Sequence, residues 1–300
     1  MQPNYRKGLV YGILSYSIWG LFPLYWHLLR HVDSLEILAN RMLWSLVAMA
    51  LFFFVVRRQR LRTYIHTARQ WLLLLVTASL NAFNWGLYIW AVNNGQLLQS
   101  SLGYYINPLI NILLGHLFLH ERLTLPGRIA LVLALLGVSY FTVSYGNLPL
   151  ISLALATSFA VYGLLKKKME LDATPALTVE TFWMAPPAAA FIIYLVVSGQ
   201  STLCTFHLPT ALLLMGAGVV TAVPLLLFGK AANNISLSTL GFLQYISPTG
   251  QFLIGVLLFH EDFTPAHIVC FTLIWTGLII YTIAELRRLS PKPNHQSIKP

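Results

Sequence analysis

The sequence predicts an all-α membrane protein whose ten transmembrane helices form two inverted five-helix repeats. Three observations predict it: a composition too apolar for water, ten apolar stretches of spanning length, and scarce residues that recur at one fixed spacing. Of the 300 residues, 57% are hydrophobic and 9% charged, with a mean hydropathy of +0.69. So little polar surface cannot cover a soluble globule. The recurrence pairs residues 140 positions apart: Asn93/Asn233, Asn94/Asn234, Tyr105/Tyr245, Pro108/Pro248, Gly115/Gly255, His120/His260, Glu121/Glu261, Thr124/Thr264, Gly137/Gly277 and Thr142/Thr282. Pro, Tyr, His and Glu are too scarce here to align this way through composition, so the chain is a doubled unit.

A spanning helix needs about 20 mostly apolar residues. Ten stretches qualify: 8–29, 35–56, 71–92, 99–119, 126–145, 148–165, 177–197, 209–229, 238–259 and 266–285. They are helices and not barrel strands, because apolar and polar residues do not alternate and each backbone group must be satisfied inside the lipid. Arg6 and Lys7 resemble the positive flank of a secretory leader. The run that follows is long and ends in Leu24-Tyr25-Trp26-His27 without a small-residue cleavage site, so it reads as a retained first helix. The first repeat is expected over residues 1–145 and the second over 146–286. Residues 287–300, with Ser, Pro, Lys and Asn, read as a disordered cytoplasmic tail.

The basic residues set the orientation. Arg6, Lys7, the cluster from Arg57 to Arg69, Arg122, Arg128, Lys166 to Lys168, Lys230 and the C-terminal Arg and Lys residues all fall on one side, leaving Arg30 on the other and Arg41 within the second span. The positive-inside rule then places both termini in the cytoplasm. The net charge of +10 is accordingly a topology signal, and no nucleic-acid partner is expected. The lipid bilayer is the partner, and the basic clusters favour anionic lipid on the inner leaflet. Five spans per repeat is an odd number, so the second copy enters the membrane upside down. The loop after Glu121 carries Arg122 and Arg128, whereas the one after Glu261 carries no Lys or Arg. Secondary transporters use this architecture, with halves that rock about a site near the midplane.

The polar inventory of the spans marks candidate site residues for a small-molecule substrate. The fourth and ninth spans carry Tyr104, Tyr105, Asn107, Pro108 and Asn111 against Gln244, Tyr245, Ser247, Pro248 and Gln251. A proline frees a helical carbonyl, so Pro108 and Pro248 are candidate hinges beside a cavity lined by Tyr105, Asn111, Tyr245 and Gln251. The alternative is that these amides tie helices together. In the third span Asn81, Asn84, Trp85 and Tyr88 follow i, i+3, i+4, i+7 and share a face. Tyr16, Trp19 and Gly20 make a shorter face in the first span. Such stripes suit a flat solute, though helix packing or an interfacial belt also uses them.

Arg41 stands out because charge inside a bilayer is costly. It is either an anion contact or a side chain that snorkels outward or pairs with Glu36. The nine acidic residues fall at or near span ends, so no midplane carboxylate is expected. Glu36 and Glu180 open equivalent spans, and either could titrate if protons drive the protein. Enzyme motifs are poor. His120-Glu121 and His260-Glu261 are not HExxH, since Thr124 and Thr264 stand where the second His belongs. His116 and His120 lack a third ligand, Cys204 and Cys270 form no CxxC, and no P-loop is present. No catalytic residue, metal site or cofactor is expected.

With these residues in place, the chain resembles the EamA-type ten-span permeases of the drug/metabolite transporter superfamily, and most of all their RarD-like branch, the chloramphenicol-sensitive proteins. The carriers are Glu121-Arg122-Leu123-Thr124 and Glu261-Asp262-Phe263-Thr264, each followed by a glycine, Gly137 and Gly277, together with Ala39-Asn40-Arg41. The resemblance implies an inner-membrane permease that moves small metabolites or drugs by alternating access, with chloramphenicol or amino-acid-like solutes as candidates. Two departures count against a symmetric charge mechanism: Ala185 stands near the second-half equivalent of Arg41, and His precedes each glutamate where a small residue is common. A membrane enzyme acting on a lipid-linked substrate is the competing class. It would need a buried nucleophile or metal site.

Overall fold

The computed structural model describes residues 5–56, 64–120, 124–169, 171, 173–202, 207–232, 234–235 and 243–289. Among them the chain forms ten α-helices: α1 Tyr5–Leu28, α2 Ser34–Ala50, α3 Ala68–Asn93, α4 Leu97–Leu119, α5 Leu125–Tyr145, α6 Leu150–Met169, α7 Ala173–Val197, α8 Leu208–Ala232, α9 Ile246–Leu257 and α10 Pro265–Leu289. Each predicted span overlaps one of them. Seven are long and apolar enough to cross a membrane: α1, α2 with its extension, α3, α5, α7, α8 and α10. Leu135, Val143, Val197 and Leu212 point outward from these helices, as lipid-facing side chains do.

Local chemistry sets the ends. Asp33 accepts the Leu35 and Glu36 N–H groups before α2. Thr67 and Gln70 form a reciprocal capping box before α3. Thr124 accepts the Gly127 N–H before α5. After Ala50 the chain continues as a π-helical segment, Leu51–Val56. His120 and His260, the positions after α4 and at the end of the turn after α9, both take left-handed backbone, with φ of 53° and 52°.

Some expectations are corrected. α6 runs to Met169 and α7 starts at Ala173, so Lys166 and Lys168 belong to a helix and not to a loop. Lys at a helix C-terminus complements the macrodipole, which favours this extension. Glu180 is consequently about 10 Å into α7 at ~1.5 Å per residue, and fully buried. The expected tail begins within helix: α10 continues to Leu289, because Glu285-Leu286-Arg287-Arg288-Leu289 are good helix formers. The rest of the tail, Glu121, Arg122, Leu123, Cys204, Asn233 and the basic cluster from Arg57 to Arg62 lie outside the described residues.

The packing repeats. α1 lies against α8 and α9, and α6 against α3 and α4; α2 meets α8 as α7 meets α3; α5 pairs with α10, α2 with α7 and α4 with α9. These principal contacts are unchanged when each of the first five helices is exchanged with the helix five places on. One apolar cluster joins Trp26, Ile37, Ile89 and Leu214, and a second joins Leu109, Phe141, Cys270 and Phe271.

Candidate functional site

Arg41 lies eight residues into α2 and is 3% exposed. It does not pair with Glu36. Its Nε donates to Thr221 Oγ1 at 2.9 Å, while that hydroxyl donates onward to the Ala217 carbonyl. The guanidinium carbon stands 4.0 Å from the Trp85 ring centroid, 5.0 Å from Trp26 and 5.8 Å from Phe22. Cation–π contact of this kind offsets part of the desolvation of a weakly hydrated guanidinium. No carboxylate lies against it among the described residues. Three buried donors in this cluster lack a partner: Arg41 Nη1, Trp26 Nε1 and the Tyr88 hydroxyl. Buried polar atoms are nearly always bonded, which sets the three donors of this cage apart.

The expected site residues do not converge on one point. Trp85 and Tyr88 join the cage, and Asn84 stands at its edge. Its amide donates to the Leu155 carbonyl and Ser158 Oγ, each at 2.9 Å, which ties α3 to α6, and its Oδ1 faces the Tyr104 hydroxyl. Tyr105 and Tyr245 meet elsewhere, at the crossing of α4 and α9, with ring centroids 6.3 Å apart and planes 15° from parallel. With Thr249, Trp275 and Thr282 they line an open cavity of about 420 Å³. Tyr16 and Trp19 pack on Phe228 of α8. Asn111 donates to Asn107 at 3.1 Å as Gln251 donates to Ser247 at 3.2 Å, the same i, i+4 bond in both halves. The two prolines differ. Pro108 lies within continuous α4, whereas Pro248 occupies the first turn of α9, where a missing N–H removes no helical bond. Ser101 donates to the Pro248 carbonyl at 2.8 Å.

Three carboxylates are placed by the fold. Glu36 accepts from Ser201 Oγ at 2.6 Å and from the Thr202 N–H at 3.1 Å, joining the start of α2 to the chain after α7. Glu261 accepts the Leu97 and Leu98 N–H groups at 2.6 and 2.7 Å, closing the N-terminus of α4. Burial pushes its carboxyl up from the usual range, and those two bonds draw it back in part. Glu180 accepts from Thr77 Oγ1 at 2.6 Å, Lys166 Nζ at 2.9 Å and the Tyr162 hydroxyl at 3.2 Å.

Sequence reasoning missed Phe22, Trp26 and Thr221 around Arg41, because their convergence is tertiary and aromatics are plentiful. It also missed the Lys166–Glu180 pair. Opposite charges at the adjoining ends of successive apolar runs were the available signal.

Residues 6–143 match the model of the EamA-like transporter family. A protein of Vibrio cholerae described as an uncharacterized transporter is 44% identical over 95% of this chain and 95% of its own length. Protein RarD of Streptomyces exfoliatus is 44% identical over 94% of this chain and 90% of its own. The chloramphenicol-sensitive protein RarD of Pseudomonas aeruginosa is 30% identical over 91% and 93%. One solved crystal structure superposes with a TM-score of 0.60 over 93% of this chain and 98% of its own, at 16% identity, which speaks to the fold alone. Together with the apolar helices, these bacterial relatives make the protein a multi-pass inner-membrane protein. The chain belongs to the EamA-like transporter family, within its RarD-like branch, and is a membrane transporter.

Proposed function

We propose that the protein is a secondary permease that carries a small, acceptor-bearing solute by alternating access, with Arg41 as its anion contact. The observation that carries this reading is the cage of three unpartnered donors, Arg41 Nη1, Trp26 Nε1 and the Tyr88 hydroxyl, beside the face of Trp85. A carboxylate fits the donors, and a flat or apolar body fits the aromatic wall. Amino-acid-like solutes therefore suit the cage, and chloramphenicol joins them as the solute named for the Pseudomonas relative.

Alternating access rests on two inverted repeats, residues 1–145 and 146–286, with both termini cytoplasmic. The exchange symmetry of the helix packing and the reciprocal approach of Gly137 and Gly277 support the repeat. The odd number of spans in each repeat and the one-sided distribution of Lys and Arg support its inversion. The Tyr105–Tyr245 cavity at the α4–α9 crossing supplies a second lining for the path, with Pro108, inside continuous α4, as a flexible point. The family and the relatives described as transporters support transport without catalysis.

The test is uptake of chloramphenicol and labelled amino acids into proteoliposomes, compared with protein-free vesicles and with Arg41→Ala. Protein-dependent flux that falls at least tenfold in the variant, with normal membrane insertion, supports the reading. Equal flux in wild type and Arg41→Ala removes Arg41 from the site. Turnover of a lipid-linked substrate by the purified protein would favour an enzyme.

A further inference from the structure

Glu180 is the one carboxylate that the fold buries against a cation among the described residues. It is 0% exposed, and its partner Lys166 keeps 20% of its side chain open. The remaining partners are both hydroxyls, Thr77 of α3 and Tyr162 of α6. Burying an ion pair is weak as a stabilising device, since desolvation offsets most of the attraction. Its placement is therefore better read through what it can do. Lys166 is on the last turn of α6 and can withdraw to the membrane surface while keeping its charge. The carboxylate cannot withdraw; it can only lose its charge by taking a proton. One of the two hydroxyls can then turn from donating to Glu180 to accepting from its single O–H, while the other still donates to the remaining oxygen.

Glu36, in the first turn of α2 and so nearer a helix end than Glu180, lacks this freedom. Its oxygens face Ser201 and the Thr202 amide, and no cation can leave. Around Glu180 the other charged and titratable groups are few. From α6 it meets Lys166 and Tyr162. From α3 it meets Thr77, with Arg69 exposed beyond. The π-helical end of α2 brings no charge, and Tyr64 packs on the apolar cluster of Ala176 and Val179 beside it. Arg41 and Glu36, the charged residues of α2, are held by Thr221 and Ser201.

A buried polar stripe on α3 joins this pair to the cage. Thr77, Asn81, Asn84 and Tyr88 are all buried and share one helix face. Thr77 touches Glu180, and Trp85, about 12 Å along at ~1.5 Å per residue, touches Arg41.

We propose that Glu180 is the proton-binding site that couples a pH gradient to the solute site at Arg41, with Lys166 as the cation that competes with the proton. Loading adds one proton to the carboxylate and breaks the ion pair; unloading returns the proton and re-forms it. This rests on the transporter reading above.

Two measurements test it on the full-length protein, and they fail separately. The first needs no solute: the infrared carboxyl signal is followed through a pH titration in lipid. A protonating carboxyl that is lost in Glu180→Gln and kept in Glu36→Gln is expected. A signal unchanged in Glu180→Gln overturns the proposal. The second follows any panel solute that the wild type exchanges. In Glu180→Gln the ratio of gradient-driven accumulation to exchange is expected to fall at least tenfold, and an unchanged ratio overturns the coupling. Where Glu180→Gln does not fold, the neutral pair Lys166→Met with Glu180→Gln replaces it in both measurements. A wild type that exchanges nothing in the panel counts against the transporter reading, while the infrared titration still decides whether Glu180 binds a proton.

Discussion

Gly277 of α10 lies flat on Ala130 of α5, so close that a β-carbon there would stand 3.1 Å from both the Cα and the carbonyl oxygen of Ala130. The partner contact is its counterpart: a β-carbon on Gly137 would stand 3.1 Å from the Cys270 carbonyl, and Cys270 is 140 positions after Ala130. Small residues let membrane helices approach this closely, and dispersion then holds them. Gly137→Ala and Gly277→Ala should each destabilise the protein by about 1–3 kcal/mol through overpacking against backbone that cannot give way. Thermal unfolding in detergent checks this, and the two variants should behave alike. A loss in one alone would show that the two contacts are not equivalent.

Much of this fold was legible because lipid imposes a simple code. Hydropathy located all ten helices, and the recurrence singled out Gly137 and Gly277 without indicating that each meets the other half. Arg41 was legible from its cost alone. What surrounds it was not, since Trp26, Phe22 and Thr221 come from other helices and each, read singly, is an ordinary membrane-helix residue. Glu180 was hidden for a different reason. Hydropathy ends a span near its first charges, so Lys166 fell just outside the 148–165 stretch and Glu180 near the start of 177–197, whereas the helices run further and carry both charges inward.

His120 and His260 share a left-handed backbone that glycine adopts freely and other L-residues do not. Both are exposed. His120→Gly and His260→Gly should each stabilise the fold by roughly 1 kcal/mol, partly offset by the greater freedom of the unfolded chain. Raised unfolding temperatures in both variants are the expected result. A fall would mean that the imidazoles hold something at these turns.

Glu261 acts as a cap supplied from a distance, since its two oxygens take the Leu97 and Leu98 N–H groups at the start of α4. These are among the four amides that a helix cannot satisfy by itself. Glu261→Ala should cost about 1–2 kcal/mol, the range for losing an N-cap, and should speed hydrogen exchange at Leu97 and Leu98 in particular. Glu261→Gln, with one carbonyl oxygen, should retain part of the protection. Unchanged exchange in the alanine variant would mean that other groups close this helix end.

Arg41 offers the sharpest test because its two roles pull stability and activity in opposite directions. A guanidinium held in the bundle with one arm unpartnered is a load on folding, up to about 2.5 kcal/mol on insertion scales that refer to a helix centre. Met has similar length and no charge. If the cage exists to hold an acceptor-bearing solute, Arg41→Met should unfold at a higher temperature than wild type and lose at least tenfold in flux. Arg41→Lys should fall between, since an ammonium keeps the charge but cannot reproduce the planar fork against Thr221 and the face of Trp85. Lower stability in Arg41→Met would instead assign the residue to packing, as a strut between α2, α3 and α8. Flux would then be lost only in proportion to folded protein. Unfolding temperature and proteoliposome flux measured on the same preparations separate the two roles.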